Sequence, residues 1–195
     1  MRTVRIEITG NTPLMHHRMT EDQLFGLLGT KTKQLKDKTE QVPREIAEKH
    51  AYKNKKGEYY VPAEYICGAV ASVASDYKQS NSAKRTLKSV ARSVFRPVVG
   101  ELILLDHKNK PLKEFEVDVR KGTNHKAGAV AICRPRFDEW RIQFDANISD
   151  ELVSPETMQL ILEDAGRRSG IGSFRVSKGG VFGQFRLTRF EELKS

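Results

Sequence analysis

The chain has little cysteine, no long apolar run and, over three wide windows, no acid at all. Its two cysteines, Cys67 and Cys133, lie far apart and match no metal or redox spacing. They read instead as buried free thiols of a protein in a reducing cytoplasm. No apolar stretch approaches the roughly 20 residues that span a bilayer, so no membrane partner is expected. The opening "MRTVRIEITGN" alternates like a strand and has no signal-peptide h-region. His50, His107 and His125 have no ligand-like spacing, and neither metal nor cofactor is expected. With 195 residues, 38% of them hydrophobic and 30% charged, the chain suits one globular domain with a substantial core.

Missing acid turns out to be the most informative absence. Residues 77–100, 119–137 and 165–190 hold 6, 5 and 6 Lys/Arg and no Asp or Glu. The net charge is +9, so everything outside these windows is net acidic. Segregation of this kind suggests a polyanion-binding surface, provided the windows converge in the fold. The last window also carries six of the 14 glycines. Either its turns need positive φ, or something approaches that backbone closely.

Apolar spacing assigns the elements. Residues 3–9 form a strand, with Val4, Ile6 and Ile8 on one face. A short helix over 43–50 leads to a small hairpin with its turn at Lys56–Gly57. Pro62 opens a helix whose stripe is Ile66, Ala69, Val70, Val73, Ala74 and Tyr77. A second helix follows, with Leu87, Val90, Ala91 and Val94 inward and Lys84, Lys88 and Arg92 in line on another face. Strands near 101–105 and 115–120 come next, then a half-buried strand through Trp140, Ile142, Phe144, Ala146 and Ile148. "SPE" starts a helix with Met158, Ile161, Leu162 and Ala165 inward, stopped by Gly166. A last strand spans 183–190. Strand, helix and strand in this order fit a right-handed crossover. The whole pattern predicts an α+β domain over 1–195 with a ferredoxin-like, RRM-like core. Residues 21–135 include a helical and hairpin insertion between the two core halves.

"IEITGNTPLM" at the start and "GIGSFRVSKGGVFGQFRL" near the end, with a ferredoxin-like pattern between, resemble the RAMP superfamily. This RRM-like group builds CRISPR effector complexes. The likeness is to backbone subunits that polymerise along a guide RNA and to their phage-encoded relatives. It implies partners: RNA or single-stranded DNA, further copies along the strand, and other effector subunits. It also implies that Gly170, Gly172, Gly179, Gly180 and Gly183 lie close to phosphates. Arg175 and Lys178 would be the phosphate partners, with Met15, His16, His17 and Arg18 beside them. Two departures stand out: the chain is short for a backbone subunit, and its N-terminal loop has no acid before Glu21 for metal-dependent cleavage.

The residues themselves add further candidates. "CRPRFDEWR" places Arg134, Arg136 and Arg141 around Phe137 and Trp140, a mixture able to clamp phosphates and stack bases. Trp140 heads an apolar strand face and reads as core, leaving Phe137 and Phe182 as stacking candidates. Arg167 and Arg168 begin the glycine-rich window, and Lys84, Lys88 and Arg92 form a cationic stripe. His16 or His17 could serve acid–base chemistry, since imidazole titrates near neutrality. No tyrosine or serine partner stands at a recognisable spacing. The expectation is therefore binding without catalysis, with a metal-independent endoribonuclease or a phage assembly adaptor as alternatives.

Overall fold

The computed structural model describes residues 1–27, 42–123 and 128–193. The polar stretch 31–41 and His125 lie outside the described residues.

The first strand, β1 (Arg2–Gly10), is followed by the two-residue β2 (Leu14–Met15) and two short helices, α1 (Glu21–Leu27) and α2 (Pro43–Lys49). Next come β3 (Tyr60–Pro62) and α3 (Ala63–Val73), which starts directly after Pro62. Then follow β4 (Lys78–Gln79), β5 (Ser82–Thr86), α4 (Ala91–Val94), β6 (Phe95–Pro97) and β7 (Glu101–Ile103). A long hairpin, β8 (Glu116–Thr123) and β9 (Ala129–Phe137), leads to β10 (Arg141–Ile148), α5 (Pro155–Asp164) and β11 (Phe185–Glu192).

The main sheet is antiparallel in the order β11-β1-β10-β6. Its register sets Val4 opposite Ala146, Ile6 opposite Phe144 and Ile8 opposite Ile142. All six side chains are buried on one face. Strands β1 and β6 are parallel around α3, and β10 and β11 are parallel around α5, each pair split by another strand. This is the split βαβ arrangement of a ferredoxin-like fold. Helix α3 buries Ile66, Ala69, Val70 and Val73, and α5 buries Met158, Ile161 and Leu162. The Ser154 hydroxyl caps α5 by accepting the Thr157 N–H at 3.2 Å. Between the core halves, β2, β9 and β8 form a second antiparallel sheet.

Two elements differ from expectation. The segment 82–94 is not one helix: β5 pairs with β4, a single 3-10 turn covers Leu87–Ser89, and only Ala91–Val94 is α-helical. The expected inward positions hold even so, since Leu87, Ala91 and Val94 are buried. Helix α5 does not stop at Gly166. It widens into a π-type turn, Ala165–Ser169, and ends at Gly170 with φ +67°. A Cβ on Gly166 would lie 2.1 Å from the Phe185 carbonyl oxygen, so this glycine lets the helix end lie flat on β11.

Candidate nucleic-acid interface

On the exposed face of the main sheet the charged and polar side chains pair with one another. Arg5 donates to both Asp145 oxygens at 2.9 and 3.1 Å, and Thr3 donates to Asn147 at 2.9 Å. Arg141 binds Glu7, which also accepts from Thr188. These side chains include no aromatic, so the base-stacking surface of an RRM has no counterpart here.

Cationic and aromatic groups gather instead where the β8–β9 hairpin meets the glycine-rich loop. Alternation along β9 buries Cys133 and Phe137 and turns Arg134 and Arg136 outward. The Arg134 guanidinium lies 4.7 Å from the Phe174 ring centroid and donates to the Ser173 hydroxyl. Arg120 of β8 lies 4.6 Å from the Phe182 ring and 5.6 Å from that of Phe174. Two windows separated by 27 residues thus interleave as ring, cation, ring, cation. Phe174 holds φ +51°, an uncommon conformation for a bulky residue. The β2 strand braces the loop from behind, because the Met15 carbonyl accepts the Ser173 N–H at 2.8 Å.

Pairing separates the arginines into two groups. Arg136 binds Asp138 at 2.6 Å and reaches Asp118 at 3.7 Å; Asp118 also accepts from Arg120. Arg167 binds Asp164 at 2.7 Å, and Arg168 binds Asp76 at 2.6 Å and Asp164 at 3.2 Å. Arg134 and Arg175 differ. Arg175 donates to the Ser177 hydroxyl and the Gly172 carbonyl, both at 3.1 Å. Among the described residues neither arginine has a carboxylate within ion-pair distance. Burial lowers the Arg134 pKa, partly offset by the nearby charge of Asp118. A half-buried cation held only by neutral groups is poised for an anion. Lys178 is exposed in the same loop.

The histidines part company. His16 is fully buried, its ring centroid 4.8 Å from that of Phe137, and its Nδ1 accepts the Tyr52 N–H at 3.2 Å. Burial pushes its pKa down to about 3. It therefore stays neutral and reaches no phosphate, and its place in the expected site is corrected to core. Phe137, 2% exposed, is corrected likewise. His17 lies at the surface, 5.5 Å from the His50 ring, and Arg18 follows it. Partial desolvation, then the charges of Arg134 and His50, lower the His17 pKa to about 4. Phe182 is 7% exposed, a backing for Arg120 rather than a free platform.

The remaining candidates divide. Lys84, Lys88 and Arg92 are exposed, but no hydrogen bond, ion pair or ring contact among the described residues joins them to the loop, and they share no helical stripe. The glycines answer mainly to their own chain. A Cβ on Gly180 would meet the Phe174 carbonyl oxygen at 1.7 Å, and one on Gly172 the Met15 oxygen at 2.6 Å. Gly179 has φ +75° and open space around it. Residue reading missed Phe174, Arg120 and Tyr65. For Tyr65 a signal existed: Tyr65, Gly68 and Ser72 repeat at i, i+3, i+7 off the apolar stripe, marking a second face of α3.

Among the described residues no group of His, Cys, Asp or Glu is placed to share a metal ion. No described helix is long and apolar enough to cross a membrane. Neither a family model nor a curated protein matches the chain. A solved structure does: a chain from the cryo-EM structure of the Type III-B Cmr-beta bound to cognate target RNA, at 17% identity and a TM-score of 0.51. The match covers 99% of this chain and 61% of that one, so the present chain spans less than two thirds of its neighbour's length. At this identity the likeness is one of fold, and the fold shared is α+β with the ferredoxin-like order described above.

Proposed function

We propose that this chain binds single-stranded RNA without cleaving it, as a strand-coating subunit of a CRISPR-type ribonucleoprotein. The observation that carries the reading is the meeting of Arg134 and Arg175, cations with neutral partners, beside the Phe174 ring. Phosphate supplies the missing anion, and rings beside guanidinium planes suit unpaired bases. His17, near enough to feel the Arg134 charge, and Lys178, in the loop of Arg175, extend the polar surface around this centre. The terminal motifs that resemble RAMP proteins and a structural neighbour drawn from a complex bound to target RNA support the same reading.

Fluorescence anisotropy with a labelled single-stranded RNA in EDTA tests this directly, with the strand run on a denaturing gel afterwards. Saturable binding at low salt and an intact strand are expected. Cleavage in EDTA that is lost in His17→Ala would replace this reading with the endoribonuclease. No binding at low salt would leave charge to serve assembly alone.

A further inference from the structure

A groove runs between α3 and the glycine-rich loop, lined by Glu64, Tyr65, Gly68, Ser72, Gly172 and Arg175 among others. Its free space is about 170 Å³, comparable to a cavity of about 150 Å³ that accommodates benzene. That is room for a ring system, not for a whole drug-sized ligand of about 300–1,000 Å³.

Gly68 is the anomaly. It sits inside α3, where glycine costs about 1 kcal/mol against alanine. The fold gives no reason for it: its φ is ordinary, and a Cβ built there meets nothing within 4 Å. The glycines of the loop differ, since each of Gly172, Gly180 and Gly183 is required by a neighbouring carbonyl. An exposed glycine that packing does not need, on the wall of a groove, keeps that wall flat.

The flanking groups are held in place. The Tyr65 hydroxyl hydrogen-bonds that of Tyr52 at 3.0 Å, which fixes the half-buried ring at the groove. Two hydrogen bonds fix Arg175, and Glu64 stands at the rim as an acceptor. The geometry points to a pocket for one unstacked nucleobase of the bound strand, seated on the bare α3 backbone at Gly68. Tyr65 supplies the stacking surface, and Arg175 and Glu64 address the polar edge. The inference rests on the RNA-binding reading and adds that one base is held apart from its neighbours.

The test compares a short single-stranded RNA with an abasic ribose-phosphate strand of equal length. Wild-type protein should bind the RNA at least fivefold more tightly, in line with stacking of a base on an aromatic ring. Gly68→Leu fills the groove from a position free of packing. It should lose at least fivefold in affinity for the RNA while keeping wild-type affinity for the abasic strand and wild-type salt dependence. Its melting temperature confirms folding, and Tyr65→Leu, reaching the groove from the adjacent wall, should show the same selective loss. If Gly68→Leu binds both strands like wild type, the groove is empty in the complex and the inference falls while RNA binding stands. Equal loss on both strands would place backbone, not a base, in the groove and overturn it too. Tight competition by adenosine monophosphate alone would make it a mononucleotide site instead. Wild type binding neither strand defeats the RNA reading and this inference with it.

Discussion

Gly179 and Gly180 are neighbours in sequence with different reasons to be glycine. Gly179 needs only its positive φ, whereas Gly180 lies against the Phe174 carbonyl oxygen. Gly179→Ala should therefore destabilise by about 1 kcal/mol. Gly180→Ala should cost more, roughly 1–3 kcal/mol or above, because backbone must move to admit the methyl group. Urea unfolding of both variants checks the ranking; equal losses would mean that the loop yields freely. The glycine cluster was conspicuous in the sequence, but its cause was not, since only the fold brings Phe174 over Gly180. His16 makes the same point. Its folded pKa, about 3, lies below the 6.5 of an ordinary histidine, so on acidification the unfolded chain takes the proton first. This contribution to stability is complete above pH 6.5 and is lost as the pH falls toward about 3. Between pH 6.5 and 5, above the ordinary carboxylate range, the loss should be roughly 1–2 kcal/mol. His16→Asn, which retains an acceptor for the Tyr52 N–H, should make that slope shallower, leaving the share that His17 adds through its own lowered pKa, whatever it does to overall stability. An unchanged slope would show that His16 is not buried neutral.

Elements were legible where one period was unambiguous. The alternation of β1 and β10 and the stripes of α3 and α5 read directly, because each buries one face against the same core. Residues 82–94 misled because Leu87, Val90, Ala91 and Val94 have helical spacing. A helix there would align Lys84, Lys88 and Arg92 without acidic partners, and like charges at i, i+4 repel. The chain instead turns 82–86 into a hairpin with β4. Gln79 secures it by donating to the Thr86 carbonyl at 2.9 Å, and the Leu87 N–H donates to the Tyr77 carbonyl at 2.9 Å. Strand β9 escaped notice because Pro135 and the adjacent arginines obscure its period, although Arg134 and Arg136 are its outward positions. Within α3, Gly68→Ala should stabilise the protein by about 1 kcal/mol, since the methyl group meets open space and alanine favours the helix. A lower melting temperature would reveal a packing need that the structure does not show.

At the scale of the whole molecule, segregated charge predicted a surface, and two of its three windows do meet. The second and third interleave at Arg120, Phe174, Arg134 and Phe182, while Lys84, Lys88 and Arg92 share no contact with them. Counting cations could not foresee this, because several arginines are matched by acids distant in sequence: Arg168 by Asp76, Arg5 by Asp145, Arg2 by Asp150 and Glu192. The fold class was within reach of residue patterning; the partition of arginines into paired and unpaired was not. The salt dependence of RNA binding reads that partition out, because only unpaired cations are free to neutralise phosphate. Each neutralised phosphate on a single strand contributes about −0.7 to the slope of log affinity against log salt. Arg134→Ala with Arg175→Ala should therefore make the slope shallower by about 1.4, and Arg167→Ala with Arg168→Ala should leave it at the wild-type value. Equal changes from the two double variants, or a wild-type affinity indifferent to salt, would contradict the account.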